Sequence, residues 1–167
     1  MINIKYLFIH CPKLFFLKYY NQETQLTINT TTETTYWNPM VPELTVTNFP
    51  VSLDFYVQIL GFNIMIRRKD PDFVYLHLGK AQLMLETFHE TGWNTAELNK
   101  PLGRGINLQI EVDDINSILN RLQINKIKLY RPLKDNNYAT GDTHICQREF
   151  LVQDPDGYLL RFSQYIG

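Results

Sequence analysis

The 167-residue sequence lacks several features that would each define a class of protein. Its two cysteines, Cys11 and Cys146, are too few for a disulfide framework and are not spaced as a metal knuckle, so we expect a reducing, cytoplasmic setting. The net charge of -1 argues against a nucleic-acid partner, which would require a concentrated basic surface. No apolar run reaches the roughly 18 residues of a membrane span, so we expect no membrane partner.

What is present is the composition of a globular domain, with 44% hydrophobic and 20% charged residues. We expect this domain over residues 40–166, preceded by a segment of different character at residues 1–39. That segment has short, interrupted apolar runs and a threonine-rich polar stretch. We predict that it is poorly ordered, or is translated sequence upstream of a start at Met40. A secretory signal is the alternative, although no small-residue cleavage site follows the short apolar run.

Hydrophobic spacing predicts the same order of elements twice. In the first module, at about residues 40–88, a strand precedes a helix that Asn48 caps and Gly61 ends, and three strands follow. The second module, at about residues 105–166, repeats strand, helix and three strands, so an internal repeat is indicated. The apolar residues expected on the buried faces of the three later strands of the first module are Phe62, Ile64, Ile66, Val74, Leu76, Leu78, Leu83 and Leu85.

In the second module, Asp113 or Asp114 is predicted to cap the helix, and Tyr130–Gln147 to form an inserted loop. The module ends in a hairpin around the Asp-Pro-Asp-Gly sequence at 154–157, in which Asp154 can bond its own backbone and Gly157 can take positive φ. The fold class that follows is α+β, with two βαβββ modules that form curved mixed half-sheets around a cleft.

The strand residues of opposite parity should lie on the other side of each half-sheet. A solvated surface would explain most of these residues, because antiparallel sheets often leave one face wet. Met65, Tyr75 and Met84 favour instead a mixed polar and aromatic hollow that binds a small molecule. The full set is Glu43, Thr45, Asn63, Met65, Arg67, Tyr75, His77, Gln82, Met84, Glu86, Asn107, Gln109, Glu111, Gln153, Arg161 and Ser163.

Three stretches of the sequence carry a resemblance to a known family. They are Ser-Leu-Asp-Phe-Tyr with Leu-Gly-Phe at 52–62, Gln-Leu-Met-Leu-Glu at 82–86, and the Arg-Glu-Phe and Asp-Pro-Asp-Gly-Tyr-Leu-Leu-Arg-Phe hairpin at 148–162. From Met40 to Gln164 the chain resembles the glyoxalase/bleomycin-resistance/dioxygenase superfamily, the vicinal oxygen chelate fold. The resemblance implies a homodimer whose first strand can swap between subunits. It does not specify the chemistry, because the fold serves several activities.

Metal enzymes of that family take ligands from the first, fourth, fifth and eighth strands. The resemblance aligns those positions with Val41, Met84, Asn107 and Arg161, of which only Asn107 suits a divalent ion. A register shift that brings in Glu86 or Glu43 stays open, but two carboxylates facing an arginine make a poor site. We therefore expect no metal ion, no other cofactor and no catalytic residue.

The resemblance is closer to the drug-sequestering members, which bind a cationic glycopeptide with a planar tail, such as bleomycin, between two subunits. Such a ligand needs aromatic rings for stacking and acidic groups for its charge, and Asp142 is a further acidic candidate. Cys146 stands where some bleomycin binders carry Trp, which implies weak drug affinity or a different ligand. The alternative function is a metal-dependent lyase or isomerase, or a ring-cleaving dioxygenase, of the same fold. The residues predicted to bind the ligand are Phe73, Tyr75, Met84, Glu86, Trp93, Asn107, Gln109, Glu111, Tyr138 and Arg161.

Overall fold

The structure, a computed structural model, describes residues 36–167, and Trp37–Gly167 form one compact unit. The predictions made for the N-terminal tail, the start at Met40 and the secretory signal concern residues that lie almost wholly outside the described part of the chain. No helix within residues 36–167 is both long enough and apolar enough to cross a membrane.

The first module has the predicted βαβββ order. Its four strands form a sheet in the order β1-β4-β3-β2, in which β1 and β4 are parallel and the other pairs antiparallel. The mixed sheet confirms the expected half-sheet. The elements are β1 (Glu43–Val46), α1 (Phe49–Asp54), a π-helix (Phe55–Leu60), β2 (Asn63–Arg68), β3 (Phe73–Leu78) and β4 (Ala81–Thr87).

The second module repeats this arrangement with strand order β5-β8-β7-β6, and here β5 and β8 are the parallel pair. Asp114, rather than Asp113, caps its helix by accepting backbone N–H groups from Asn116 at 3.0 Å and Ser117 at 3.4 Å. The α+β fold of two βαβββ modules is thereby confirmed. The elements are β5 (Asn107–Glu111), α2 (Ile115–Ile124), β6 (Leu129–Thr140), β7 (Thr143–Gln153) and β8 (Leu159–Tyr165).

The first helix begins as the sequence predicts but changes type halfway. Asn48 accepts the Val51 N–H at 3.3 Å, and the second half of the helix, Phe55–Leu60, is π-helical. Gly61 ends it with φ at 88°, as expected. Arg121 of α2 donates from Nε and Nη2 to the last two carbonyl groups of the π-helix, both at 2.8 Å. A guanidinium of the second module thus closes a helix of the first.

One hydrophobic core joins the two modules. It contains fully buried residues of the first module, such as Tyr56 and Phe62, together with residues of the second. Phe150 and Phe162 of the final hairpin are buried in this core and stack with their ring centroids 5.3 Å apart. The apolar faces predicted for β3 and β4 are likewise in the core, with Val74, Leu76, Leu83 and Leu85 all buried.

The apolar face predicted for Phe62, Ile64 and Ile66 is confirmed only at Phe62, which is 2% exposed. Ile64 is 44% exposed and Ile66 is 36% exposed, because β2 is the edge strand of its sheet and its register shifts between these two residues. Such a bulge reverses the side of the sheet to which the following residues point. Arg67 therefore pairs with Val74 on the core side, with its guanidinium 5.9 Å from the Phe49 ring centroid. The expectation that Arg67 faces the hollow is also wrong.

The loop predicted at Tyr130–Gln147 is instead a long hairpin. Strand β6 runs from Leu129 to Thr140 and pairs along β7, from Leu129↔Val152 to Thr140↔Thr143, with two register shifts near its start. The polar residues of β6 hide the alternation of apolar and polar residues that would mark a strand. They are polar because both faces of the hairpin tip are exposed to solvent.

The turn at 154–157 has the predicted backbone but an unpredicted location. Asp154 Oδ1 accepts the Asp156 N–H and the Tyr158 N–H, each at 2.9 Å, and Gly157 has φ at 97°. Both aspartates are buried, at 5% and 1% exposure, rather than standing in solvent. Burial raises the pKa of Asp154 although the Tyr158 N–H and the Tyr56 hydroxyl oppose the shift.

Asp156 connects the turn to the first module. Its carboxylate accepts the Thr47 N–H at 3.1 Å and the Thr47 hydroxyl at 2.5 Å, and Lys100 Nζ lies 2.9 Å away. Burial opposes ionisation of Asp156, but these hydrogen bonds outweigh it and hold its pKa below the usual value. Tyr56 adds a bond from its hydroxyl to Asp154 Oδ2 at 3.0 Å. The turn therefore fastens the second module to the first.

Candidate functional site

The first sheet presents a polar and aromatic side opposite its helix, which we call the first face. Its members are in register across three strands: Glu43 pairs with Met84, Thr45 with Glu86, and Phe73 and Tyr75 pair with the same two residues of β4. The alternate residues of these strands lie in the core, so this side is left for other contacts. The first face consists of Glu43, Thr45, Phe73, Tyr75, Met84 and Glu86.

Two rings of the first face already have neighbours from the chain itself. The Trp37 ring stands edge-on to Tyr75 with the centroids 5.0 Å apart, and Asn38 donates to Gln82 Oε1 at 2.9 Å. Arg68, brought to this side by the bulge, places its guanidinium 4.0 Å from the Phe73 centroid. Burial raises the pKa of the Tyr75 hydroxyl. The Tyr75 ring is thus in edge-on contact with an indole and the Phe73 ring is in contact with a guanidinium, and the two residues are 8% and 6% exposed.

Carboxylates lie beside these rings. Burial raises the pKa of Glu43, and the neighbouring Glu86 carboxylate raises it further, while Arg68 and His89 oppose the shift. Glu86 Oε2 is 3.2 Å from the imidazole Nε2 of His89 in the following loop. With these two acidic side chains side by side, the first face is acidic as well as aromatic.

The second sheet has a corresponding side, which we call the second face, and its register places Asn107, Gln109, Glu149, Leu151, Leu159 and Arg161 there. This face forms the floor of a cavity of about 500 Å³ whose wall is strand β6. The side chains of β6 that line the cavity include Arg131, Lys134, Asn136 and Tyr138.

Glu149 is the buried centre of the second face, at 3% exposure. Its Oε2 accepts the Tyr138 hydroxyl at 2.6 Å and the Asn136 amide at 2.8 Å, and the bond to Glu149 raises the pKa of Tyr138. Its Oε1 is buried without a hydrogen bond, 3.6 Å from Arg161 Nε, which also lacks one. Arg161 instead donates through Nη2 to Gln109 Oε1.

The structure divides the ten residues predicted to bind the ligand. Phe73, Tyr75, Met84 and Glu86 lie on the first face, whereas Asn107, Tyr138 and Arg161 line the second-face cavity with Gln109 beside them. Glu111 lines a separate cavity with Asp113 and Asp114, and Trp93 is 92% exposed in the loop after β4.

The four positions aligned with metal ligands do not fit a divalent ion. Met84 is a thioether, and Arg161 places a permanent cation near Asn107 on the second face. Glu43 and Glu86 come together on the first face, but within residues 36–167 no group of three His, Cys, Asp or Glu side chains is arranged to hold a metal. We therefore derive no chemical step through a metal ion.

Sequence reasoning missed the central residue of the second face. Glu149 has the same strand parity as Gln153, which was assigned to this side, so continuing the alternation back along β7 would have found it. Strand alternation could not place Arg131 and Lys134 on this face, because the sequence predicts a loop for their segment.

Two βαβββ modules, each with a polar side on its half-sheet, define the fold class of this chain. Residues 27–162 match the model of the Glyoxalase/Bleomycin resistance protein/Dioxygenase superfamily. The chain belongs to this superfamily, which confirms the resemblance read from its sequence.

Relatives within the superfamily differ in activity. A bleomycin resistance protein of Geobacillus stearothermophilus is 25% identical over 134 residues, 75% of this chain and 96% of that protein. A lactoylglutathione lyase of Neisseria meningitidis serogroup B is 30% identical over 130 residues, which are 72% of this chain and 86% of that protein. The crystal structure of TioX from Micromonospora sp. ML1 has a TM-score of 0.58 at 20% identity, covers 78% of this chain and 98% of its own, and shows the fold alone.

Proposed function

We propose that the protein binds a cationic aromatic molecule and sequesters it unchanged in the cytoplasm, as a bleomycin-resistance-type protein. The observation that carries the proposal is the pair of carboxylates on the first face, Glu43 and Glu86, beside the rings of Phe73 and Tyr75. Burial and, after it, the neighbouring Glu86 carboxylate raise the pKa of Glu43, and a bound cation would offset the repulsion between the two carboxylates. The planar part of the ligand would stack on the rings.

The first face already accommodates this chemistry within the chain. The Arg68 guanidinium over Phe73 is a cation on an aromatic ring, and Trp37 against Tyr75 is an aromatic pair. A ligand with a cationic group and a planar ring system would replace contacts of the same two kinds. The bleomycin resistance protein from Geobacillus stearothermophilus, aligned over most of its length, supports this ligand class.

The proposal includes a homodimer with the ligand in a cleft at its interface and, as a variant, an exchanged first strand. Its support is the division of the predicted site: one chain carries part of it on the first face and part on the second. A second copy with two-fold symmetry would bring the first face of each chain to the second face of the other. Light scattering would test this, and a monomer at micromolar concentration would contradict it.

Titration with bleomycin, both copper-free and copper-bound, tests the ligand. We expect quenching of Trp37, which a Trp37→Phe variant would abolish while Trp93 remains. Glu43→Gln and Glu86→Gln should each weaken binding about tenfold, because a charge-assisted contact contributes roughly 1.5–3 kcal/mol. Asp54→Asn, an exposed carboxylate on α1 and so on the side of the sheet opposite the first face, is the control and should bind normally. Failure to bind micromolar drug, or normal binding by both glutamine variants, would refute the proposal.

A metal-dependent lyase is the second candidate, because the Neisseria relative is a lactoylglutathione lyase. The geometry favours it less, since Arg161 occupies the eighth-strand position. Elemental analysis of the purified protein separates the two functions. Near-stoichiometric nickel, zinc, manganese or iron would reverse their ranking.

A further inference from the structure

We propose that the cavity of the second face is a binding site for a small organic anion, a carboxylate or phosphate that also carries a hydrogen-bond donor. The proposal goes beyond the function above in the ligand that it assigns, because the second face of the chain has a charge preference opposite to that of the first face. In the proposed homodimer, this cavity would lie across the cleft from the first face of the other copy.

The formal charge of the cavity lining is the first argument. Arg131, Lys134 and Arg161 contribute three positive charges, and Glu149 contributes one negative charge. The register pairs Arg131 with Leu151 and Lys134 with Glu149, so both cations stand on the cavity side of the sheet. Within residues 36–167, neither Arg131 nor Lys134 is in an ion pair, whereas Arg148 on the opposite side of β7 is paired with Asp135 at 2.7 Å. The cavity therefore has uncompensated positive charge.

The second argument is an unfilled acceptor beside an unfilled donor. Glu149 Oε1 and Arg161 Nε are both buried without a hydrogen bond, and the 3.6 Å between them is too long for one. Buried polar groups of this kind are rare in proteins, and each one destabilises the protein while it stays without a hydrogen bond. The carboxylate is also fixed in place, since Tyr138 and Asn136 hold its other oxygen.

These two atoms specify the ligand. An anionic oxygen that accepts from Arg161 Nε would satisfy the guanidinium, and a hydroxyl or amino group on the next atoms of the ligand would donate to Glu149 Oε1. Lys134 and Arg131, at the cavity wall, would meet a second anionic oxygen. A plain dicarboxylate offers the anion without the donor, and a cation would face three like charges. The site thus favours a hydroxy acid, an amino acid or a protonated phosphate.

Malate and succinate are matched probes, because they differ only in the hydroxyl group, and inorganic phosphate tests the other anion. We would titrate each into ¹⁵N-labelled protein and follow the Arg161 Nε–H and the Asn107 and Asn136 side-chain amides by NMR. We expect malate or phosphate to shift these signals, with malate bound more tightly than succinate. Arg161→Gln and Lys134→Gln should each weaken malate binding about tenfold, as expected for loss of one charge-assisted contact.

Glu149→Gln gives a result that only an anion site predicts. Removing the negative charge should strengthen succinate binding and reduce the preference for malate, whereas a cation site would lose affinity in the same variant. Arg148→Gln is the matched control. Arg148 is next to Glu149 on β7 but points away from the cavity, so this variant should bind the anions unchanged. No shift with any of the three anions at millimolar concentration would overturn the proposal. Equal losses in Arg148→Gln and Lys134→Gln would also overturn it, because they would indicate only general charge attraction. The anions are titrated without drug and followed at second-face NMR signals, whereas drug binding is followed by Trp37 fluorescence and the Glu43 and Glu86 variants. Either proposal can therefore fail alone.

Discussion

The two modules have the same architecture, but the first face and the second face are opposite in charge. Each has four strands in the corresponding order, a parallel pair beside the core and a helix on one side. The first face is acidic and aromatic, and Trp37 and Arg68 rest on its rings. The second face is basic around one buried carboxylate, Glu149. The comparison shows that packing preserves the repeated framework, while side chains directed away from the core can diverge in charge without loss of the fold.

The modules also differ at their outer strands. Strand β2 is short and bulged, and two of its isoleucines are exposed. Its counterpart β6 is twice as long and forms the wall of the second-face cavity. An outer strand carries little of the core, so its length and register can change to shape a binding site.

The largest effect should come from breaking the connection between the modules. Asp156→Ala removes a buried carboxylate and leaves the Thr47 N–H, the Thr47 hydroxyl and the buried Ser52 hydroxyl without their acceptor, so we expect a loss of about 3 kcal/mol of unfolding free energy. Urea denaturation followed by tryptophan fluorescence would measure it. Asp142→Ala, in the exposed hairpin tip, should change stability by less than about 0.5 kcal/mol. Similar stability of the two variants would show that the modules do not depend on the turn.

A smaller effect is expected where α2 of the second module closes the π-helix of the first. Arg121→Ala leaves two carbonyl groups without their 2.8 Å donors and should cost about 2 kcal/mol. Arg121→Lys can restore one of these bonds, so the unfolding free energy of this variant should lie between those of the unchanged protein and of Arg121→Ala. If Arg121→Lys and Arg121→Ala lost the same unfolding free energy, the hydrogen bonds from the guanidinium would not be what stabilises the end of the helix.

The third prediction concerns pH and separates the two faces. A raised pKa means that Glu43 becomes neutral above the pH at which an ordinary glutamate does, so the affinity of the first face for bleomycin should fall as pH falls through that pKa. Without ligand, the sign for stability is the reverse: the contribution of Glu43 is present at low pH and is lost as pH rises through its folded-state pKa. Glu43→Gln should flatten both profiles. Unchanged profiles in that variant would remove Glu43 from the site.

The smallest effect is expected at the edge of the first sheet. Ile64→Thr should change the unfolding free energy by less than about 0.5 kcal/mol, since Ile64 is 44% exposed. Its cross-strand partner Leu76 is fully buried, and Leu76→Ala should cost about 2–5 kcal/mol. A large loss in Ile64→Thr would show that this strand is covered in solution, which would sharpen the case for a homodimer.

Most of the framework could be predicted from the sequence because it depends on local chemistry. Asn48 and Asp114 cap helices, Gly61 and Gly157 take positive φ, and alternating apolar residues mark β3, β4 and β8. A bulge has no such signature, so the reversal that turns Arg67 toward the core and Arg68 away from it could not be seen. The polar hairpin of β6 and β7 was hidden for a related reason: few of its tip residues contact the core.

The candidate site was predicted by type more than by arrangement. Strand parity correctly placed Tyr75, Met84 and Glu86 on one side of their sheet. It could not show that the aspartates of the final turn are buried against the first module, because that contact joins residues about a hundred positions apart. The positive charge of the second face depends on residues of β6. The sequence does not predict that strand, so it could not predict a preference of this face for anions.

The contact between Trp37 and Tyr75 has a consequence for any planar molecule that binds the first face. Tyr75 is only 8% exposed, and the Trp37 indole stands edge-on against its ring. A planar ligand would therefore compete with the indole for the phenol ring, while the backbone N–H of Asn38 donates to Gln82 close by. The affinity measured for such a ligand would be the net result of this competition, not the strength of the new ring contact alone.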